Sequence, residues 1–176
     1  MHTAQSVTPE QVRAVVDTVP DPEMPPVTVG DLGMVRDVVV EAGADGARVV
    51  VELIPTYSGC PATQVIREDV AEAVGALAGV SAVEVRFSFA ETWTPERISE
   101  RGRERLRQFA IAPPERRQRP GGCLPAREDA PFALPAARCP ICGSGDTTAD
   151  SPFGPTPCRS SHYCRACRNP FEAMKP

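Results

Sequence analysis

Four cysteines near the C-terminal end of the chain are spaced as the ligands of one metal ion. Cys139 and Cys142 form one C-x-x-C pair, and Cys164 and Cys167 form a second. Each pair turns tightly enough for both thiolates to reach one ion, and two pairs complete a tetrahedral set. Gly143 follows the first pair and lets backbone amides turn toward the sulfurs. The spacing predicts a structural zinc site, with iron in a rubredoxin-like site as the alternative, because four thiolates suit either metal.

The segment that carries these cysteines, residues 138–176, is too short and too poor in large apolar side chains to fold by burial alone. Structural zinc supplies folding free energy directly. Disulfides are disfavoured, because the chain has seven cysteines, an odd number, and we expect a reducing compartment. We therefore interpret this segment as a zinc-ribbon-like metal module.

Two further residues between the pairs, Cys158 and His162, are candidate additional ligands. Either one could displace an expected sulfur. Because four thiolates already complete a zinc shell, the favoured interpretation of His162 is a surface histidine beside the metal site.

Cys60 stands apart from the other cysteines, between Gly59 and Pro61. Pro61 fits the first position of a helix, which places the sulfur at or near the helix cap. The positive end of the helix dipole stabilises an anion there, so we expect the thiol pKa to fall below its ordinary value of about 8.5. The alternative is a small buried hydrophobe, the general habit of lone cysteines.

An iron–sulfur cluster at Cys60 would need ligands from elsewhere, since its irons take about four protein ligands in total. A second protomer, a client protein or a nearby carboxylate such as Glu23 could supply them. Incomplete ligation would suit a carrier that must release its cargo. Asp21 and Glu23 have an equally weighted alternative role as acids that cap a loop.

Caps and periodicity predict the elements that position these residues. Thr8 caps a helix that begins at Pro9, and Pro95 opens a later helix by the same rule. The predicted order is α-β-β-α-β-α, an α+β fold with strands at 35–42, 47–54 and 80–90 and a middle helix that ends before Gly79. The proposed domains are an α/β domain over 1–112, a Pro/Arg-rich linker over 113–137 and the metal module over 138–176.

The overall charge limits the classes of partner. The formal net charge is −4 and the pI about 5.3, which disfavours nucleic-acid and anionic-membrane binding. We find neither a signal-peptide pattern nor a run of eighteen apolar residues, so we expect a cytoplasmic protein. A thiol enzyme would need a base, and the two histidines, His2 and His162, are poorly placed for one. We therefore expect no catalytic activity.

Several short motifs together resemble known iron–sulfur assembly factors of the SufT type over residues 8–112. These motifs are Asp21–Glu23, Asp31–Val35, Ser58–Pro61 and Trp93–Ser99. The C-terminal cysteine pairs, with Phe153–Cys158 and Pro170–Glu172 between and after them, resemble the PaaD (also PaaJ) family. Arg159 and Asn169 depart from that pattern, where lysine and glutamate are usual.

The resemblance implies an accessory subunit of the phenylacetyl-CoA epoxidase system in aerobic phenylacetate degradation. By this likeness, Cys60 is the functional thiol and assembles or delivers iron–sulfur or iron centres, and Cys158 is a spare ligand or a second exchange thiol. The implied partners are the oxygenase and reductase subunits and iron–sulfur assembly machinery, and a homodimer is a further candidate assembly. The alternative is a structural or docking subunit that carries a structural zinc ribbon.

Overall fold

The computed structural model describes residues 7–116 and 137–175. Most of the predicted linker and His2 lie outside these residues. The first part contains helices α1 (Pro9–Val16), α2 (Thr63–Gly75) and α3 (Glu100–Gln108), and strands β1 (Pro20–Asp21), β2 (Met24–Thr28), β3 (Val35–Glu41), β4 (Ala47–Leu53), β5 (Val80–Phe87) and β6 (Ile111–Ala112). The second part contains β7 (Thr147–Ser151), β8 (Arg159–Cys164) and β9 (Pro170–Met174). The predicted α+β fold is confirmed.

Helix α1 begins where its cap was predicted. The Thr8 hydroxyl accepts a hydrogen bond from the Gln11 amide at 3.3 Å, and the Gln11 side chain accepts one from the Thr8 amide at 2.9 Å. This reciprocal pair is a capping box, and it satisfies two amides that the first turn leaves without partners. Val12 and Val16 are fully buried on the inner side of the helix.

Helix α3 begins later than predicted. Residues Pro95–Arg97 form a separate 3-10 turn, and α3 starts at Glu100. The Ser99 hydroxyl accepts a hydrogen bond from the Gly102 amide at 2.9 Å, so Ser99 caps the helix. The prediction that Pro95 opens this helix is therefore wrong, because a serine four residues later offers the better cap.

A three-stranded sheet with the order β3-β4-β5 forms the centre of the first part. Strands β3 and β4 are antiparallel, and β4 and β5 are parallel, with α2 as the crossover between them. Val38, Val51 and Val85 lie side by side on the buried face of the sheet. Strand β5 ends at Phe87, three residues before the predicted end. Residues 20–28, which begin with a proline-rich stretch, form the short antiparallel pair of β1 and β2.

The chain divides into two compact units. The first runs to Trp93 and includes Arg97–Gly102, and the second includes Thr94–Glu96 and the chain from Arg103 onward. A four-stranded sheet in the second unit has the order β6-β9-β8-β7, so Ile111–Ala112 lies beside β9. Among residues 7–116 and 137–175, no helix is both long enough and apolar enough to cross a bilayer.

Candidate metal centre and thiol loop

The four predicted ligand cysteines lie together in the second unit. The sulfurs of Cys139, Cys142, Cys164 and Cys167 are all within 4.8 Å of one another. The Sγ atoms of Cys139 and Cys167 are 3.7 Å apart, and those of Cys142 and Cys164 are 3.6 Å apart. Zinc–sulfur bonds of about 2.3 Å in a tetrahedron place the sulfurs roughly 3.8 Å apart. The cluster therefore already has the size that one tetrahedral ion requires.

Each C-x-x-C turn ends in a residue with left-handed backbone geometry. Gly143 follows the first pair with φ +74°, and Arg168 follows the second with φ +58°. The Gly143 amide donates to the Cys139 carbonyl at 2.9 Å, and the Asn169 side chain donates to the Cys167 carbonyl at 2.9 Å. The two turns thus share a left-handed bend, one at a glycine and one at an arginine, which adopts this conformation less readily.

The burial of the four sulfurs is uneven. Cys139 and Cys164 are buried in a small core with Phe171, whereas Cys142 is exposed and Cys167 half-buried. The Asn169 side chain and the neighbouring thiols outweigh desolvation and lower the pKa of Cys167 to about 6. At Cys142 the Ser144 backbone lowers the pKa, but desolvation and the other thiols prevail and raise that pKa to about 12. Cys167 is therefore the readier thiolate of these two, and a cation must displace the proton of Cys142.

Neither additional candidate ligand belongs to the four-sulfur group. Cys158 is buried, and its sulfur lies 3.1 Å from the Thr156 hydroxyl. His162 is only 2% exposed, so the interpretation of a surface histidine is wrong. Its ring stacks on Phe171 and its Nε2 lies 2.9 Å from the Ser160 hydroxyl. This burial lowers the pKa of His162.

Cys60 lies in the loop that joins β4 to α2, at the carboxyl end of the parallel strands. Its amide donates to the Tyr57 carbonyl at 3.1 Å and closes a tight turn. Tyr57, Gly59 and Pro61 are exposed, and Cys60 is half-buried. The residue is therefore outside the apolar core and within reach of another molecule, as loops at the carboxyl ends of parallel strands commonly are.

The start of α2 differs from the prediction. The helix begins at Thr63 with Ala62 as its cap residue, not at Pro61. The Thr63 hydroxyl donates to the Cys60 carbonyl at 3.2 Å, so Pro61 and Ala62 belong to a turn before the helix. Cys60 stands two residues before the cap, and the field of the dipole weakens with distance from the first turn.

The acidic residues that were predicted as accessory ligands lie in the β1–β2 hairpin. The Asp21 carboxylate accepts hydrogen bonds from the Glu23 amide at 2.8 Å and the Met24 amide at 3.0 Å. Asp21 is buried and Glu23 half-buried. Asp21 therefore acts as a loop cap. A ligand role for either residue stays a prediction.

The short motifs at residues 31–35 and 93–99 contact each other in the first unit. The Trp93 indole donates to the Leu32 carbonyl at 2.7 Å, and the Arg97 Nε donates to the Gly33 carbonyl at 2.8 Å. Gly33 has φ +62°, and a side chain there would collide with the Arg97 backbone. The glycine thus allows the two segments to approach, and their hydrogen bonds hold the loop before β3.

A buried carboxylate that sequence reasoning did not single out ties these motifs together. Asp31 is 0% exposed. Its Oδ1 accepts hydrogen bonds from Arg101 Nε at 2.7 Å and the Ser99 hydroxyl at 3.2 Å, and its Oδ2 accepts one from the Thr28 amide at 3.3 Å. The aspartate in the 31–35 motif was the available signal, but its side-chain donors, Ser99 and Arg101, lie about seventy residues away along the chain and no local pattern identifies them.

Two separate parts of the chain match two families. Residues 9–86 match the family described as iron–sulfur cluster assembly protein, and residues 125–175 match the PaaD zinc beta ribbon domain. The first match contains Cys60, and the second contains all four clustered cysteines. Each match therefore contains one of the two candidate sites, the thiol loop in the first and the metal centre in the second.

Similar proteins cover the whole chain or its first part. A relative from Escherichia coli (strain K12), provisionally named as a subunit of 1,2-phenylacetyl-CoA epoxidase, is 36% identical over 178 residues, 99% of each chain. A protein of Porphyromonas gingivalis (strain ATCC BAA-308 / W83) named Fe-S protein maturation auxiliary factor is 39% identical over 93 residues, 53% of this chain and 85% of that protein. The crystal structure of a DUF59 domain of unknown function from Bacillus anthracis covers 56% of this chain and 90% of its own, with 28% identity and a TM-score of 0.50.

Proposed function

Because the chain belongs to the PaaD family, we propose that it is an accessory protein of a phenylacetyl-CoA epoxidase system in aerobic phenylacetate degradation. In this role it assembles or delivers iron–sulfur or iron centres to the oxygenase or reductase in the cytoplasm and catalyses no reaction of its own. The observation that carries this proposal is the similarity over 99% of the chain to a protein named as part of that epoxidase, joined to an iron–sulfur assembly domain.

The proposed working group is Cys60. Three features support it: the thiol lies within the assembly-domain match, on a loop with exposed neighbours, and outside the core. A single sulfur holds iron weakly, so it can pass the metal to a client that offers a complete set of ligands. Glu23 is the carboxylate that we propose as its helper, since the carboxylate of Asp21 is already occupied by backbone amides.

The proposed role of the ribbon is to hold zinc and dock on a client. Four sulfurs at tetrahedral spacing fit zinc, and the ion replaces the core that this short module lacks. Iron would fit the same four sulfurs, and elemental analysis separates the two metals.

A structural subunit is the second candidate function. It is favoured by two large apolar side chains that the ribbon exposes, Ile141 at 52% and Phe153 at 74%. Large apolar side chains of this kind can serve as anchors in a contact with another protein. In this case the protein would stabilise the oxygenase complex without handling iron.

Replacement of Cys60 by serine separates the two functions. The measurement is the iron and acid-labile sulfide content of the reductase, purified from cells whose only copy of this chain carries Cys60→Ser. Delivery predicts a lower content, with Ser58→Ala in the same loop as the matched control at wild-type content. An unchanged content with Cys60→Ser, in cells where deletion of the whole chain abolishes phenylacetate oxidation, would favour the structural subunit.

A further inference from the structure

The three-stranded sheet has an open edge at β5. Strand β4 is the one hydrogen-bonded neighbour of β5 among the described strands, and α2 covers one face of it. Ser81, Ala82, Glu84 and Arg86 are exposed along this strand. An exposed edge of eight residues offers backbone donors and acceptors to another strand.

The pairing with β4 shows which residues face the open side. The Ser88 amide donates to the Leu53 carbonyl at 2.8 Å, in register with the Leu53–Phe87 pair. Backbone groups of alternate residues point to opposite sides of a strand, so those of Glu84 and Arg86 point to β4 as well. The amides and carbonyls of Val83, Val85 and Phe87 therefore point outward.

The opposite edge of the sheet is interrupted by a bulge, whereas the register of β5 is continuous over its last six residues. Strand β3 has a bulge between Val35 and Asp37. The Asp37 carboxylate accepts a hydrogen bond from the Val38 amide at 2.9 Å, and this amide belongs to the open side by the same alternation. A bulge and an outward amide that already has a partner both make β3 a poorer edge for pairing. The register of β5 runs without a bulge from Ala82 to Phe87.

We propose that β5 pairs with β5 of a second copy of this chain, antiparallel, about a two-fold axis at Val85. In this register Val85 lies opposite Val85, Val83 opposite Phe87, and Glu84 opposite Arg86. Val83, Val85 and Phe87 exchange the backbone hydrogen bonds. The Glu84–Arg86 pairs then occupy the non-hydrogen-bonded positions, where opposed Cα atoms are about 4.5 Å apart and side chains meet most closely.

The charges of the strand favour a second copy of the chain as the occupant. The two-fold axis forms the Glu84–Arg86 pair twice, as an isologous interface requires. An axis one residue away would set Glu84 against itself or Arg86 against itself, and like charges directly opposite each other destabilise a sheet. Two antiparallel copies of β5 are therefore complementary in charge in this one register. This inference does not depend on the proposed delivery of iron.

Charge swaps test the pairing in the full-length, zinc-loaded chain. A single strand pair buries little area, so we expect a weak dimer, measured by sedimentation equilibrium over a concentration series. Arg86→Glu and Glu84→Arg each create two like-charge pairs and should raise the dimer Kd by at least about tenfold. The double swap Glu84→Arg/Arg86→Glu restores both pairs and should return the Kd to within about threefold of wild type.

A matched control is available on the strand farthest from the open edge. Arg36 lies on β3 and pairs with Glu52, so it contacts neither Glu84 nor Arg86. Arg36→Glu makes the same charge change as Arg86→Glu and should leave the dimer Kd within about threefold. Circular dichroism of each variant checks that the fold is retained.

Cross-linking tests the register. A mixture of chains carrying Glu84→Cys with chains carrying Arg86→Cys should form a disulfide between positions 84 and 86, identified by peptide mass spectrometry, because the opposed Cα atoms fall within disulfide range. Each variant alone should form little of this dimer. A wild-type chain that stays monomeric, including one whose β5 instead binds a strand of another protein, overturns the proposal. So does a Kd that single swaps leave unchanged, or equal cross-linking in each variant alone.

Discussion

Arg159 Nη1 lies 2.6 Å from Glu172 Oε2, and this ion pair joins β8 to β9 in the ribbon sheet. The two side chains are 11% and 29% exposed. The Arg159 Nε also donates to the Thr156 hydroxyl at 2.8 Å. A planar guanidinium reaches both acceptors at once from one position, whereas an ammonium group is a single point of charge. The arginine that departs from the family pattern thus makes two contacts from one buried position.

Arg159→Lys should destabilise the ribbon by about 1–2 kcal/mol, because an ammonium group cannot reach both acceptors and leaves one of them buried and unsatisfied. The measurement is urea unfolding of the zinc-loaded chain, followed by circular dichroism. Arg165→Lys is the matched control, since Arg165 and its partner Asp146 are 61% and 58% exposed. A loss of unfolding free energy with Arg165→Lys as large as that with Arg159→Lys would contradict this account.

Replacement of one clustered cysteine should remove the metal. We expect Cys139→Ser to reduce the zinc content, measured by elemental analysis, and to unfold the ribbon, because hydroxyl groups are poor zinc ligands and the module depends on the ion. Cys158→Ser is the matched control, as Cys158 is also buried but lies outside the four-sulfur group. Equal zinc loss in both variants would show that Cys158 is a ligand.

The stability of the first unit should depend on the ion pair between Asp31 and Arg101. Arg101→Ala leaves a fully buried charge with fewer donors and should destabilise the first unit by about 2 kcal/mol. Arg48→Ala, which breaks an ion pair whose members are 58% and 45% exposed, should cost less than about 1 kcal/mol. Thermal unfolding of the two variants compares them directly, and the reverse order would contradict the structure.

The order of elements was predictable because its signals are local. The Thr8 cap, the turn between β3 and β4 and the spacing of each C-x-x-C pair are all contained in a few neighbouring residues. The start of α3 was missed because two candidate caps, at Thr94 and Ser99, compete, and the choice depends on contacts of Ser99 with Asp31.

Long-range packing explains what the sequence could not predict. The burial of His162 arises from Phe171 on the neighbouring strand, and the pairing of Ile111–Ala112 with β9 spans about sixty residues. A two-residue strand has no periodicity of its own.

The left-handed residue of the second C-x-x-C turn offers a way to stabilise the ribbon. Arg168 has φ +58°, a conformation that glycine adopts without strain. Arg168→Gly should therefore stabilise the zinc-loaded ribbon by roughly 0.5–1 kcal/mol, and Gly143→Ala should destabilise it by a similar amount. Chemical denaturation measures both changes. A loss of stability with Arg168→Gly would mean that the arginine side chain makes a contact that stabilises the ribbon by more than the backbone strain destabilises it.

Replacement of Asp17 should change how the stability of the folded chain depends on pH. Burial raises the pKa of Asp17, Arg13 and Arg101 oppose the rise, and Asp31 adds to it. The folded chain therefore binds the carboxyl proton of Asp17 more tightly than the unfolded chain does. The stability that this protonated carboxyl contributes is lost as pH rises from the ordinary aspartate pKa, near about 4, up to the raised pKa of the folded chain. Asp17→Asn should raise the melting temperature at pH 7, with the gain vanishing well below that range.

The control for this variant is Asp45→Asn, in the exposed turn between β3 and β4. It should leave the melting temperature nearly unchanged at both pH values. A lower melting temperature for Asp17→Asn at pH 7 would mean that attraction to Arg13 and Arg101 outweighs burial.

Strand β6 belongs to the ribbon sheet although it precedes residues 117–136 along the chain. The Glu172 amide donates to the Ala110 carbonyl at 3.2 Å, and Ile111–Ala112 runs parallel to β9. A protease nick within 117–136 would consequently yield two peptides that copurify until denaturant parts them. A recombinant fragment that starts at residue 138 would lack this outer strand and expose the flank of β9, which residues 110–112 cover in the full chain.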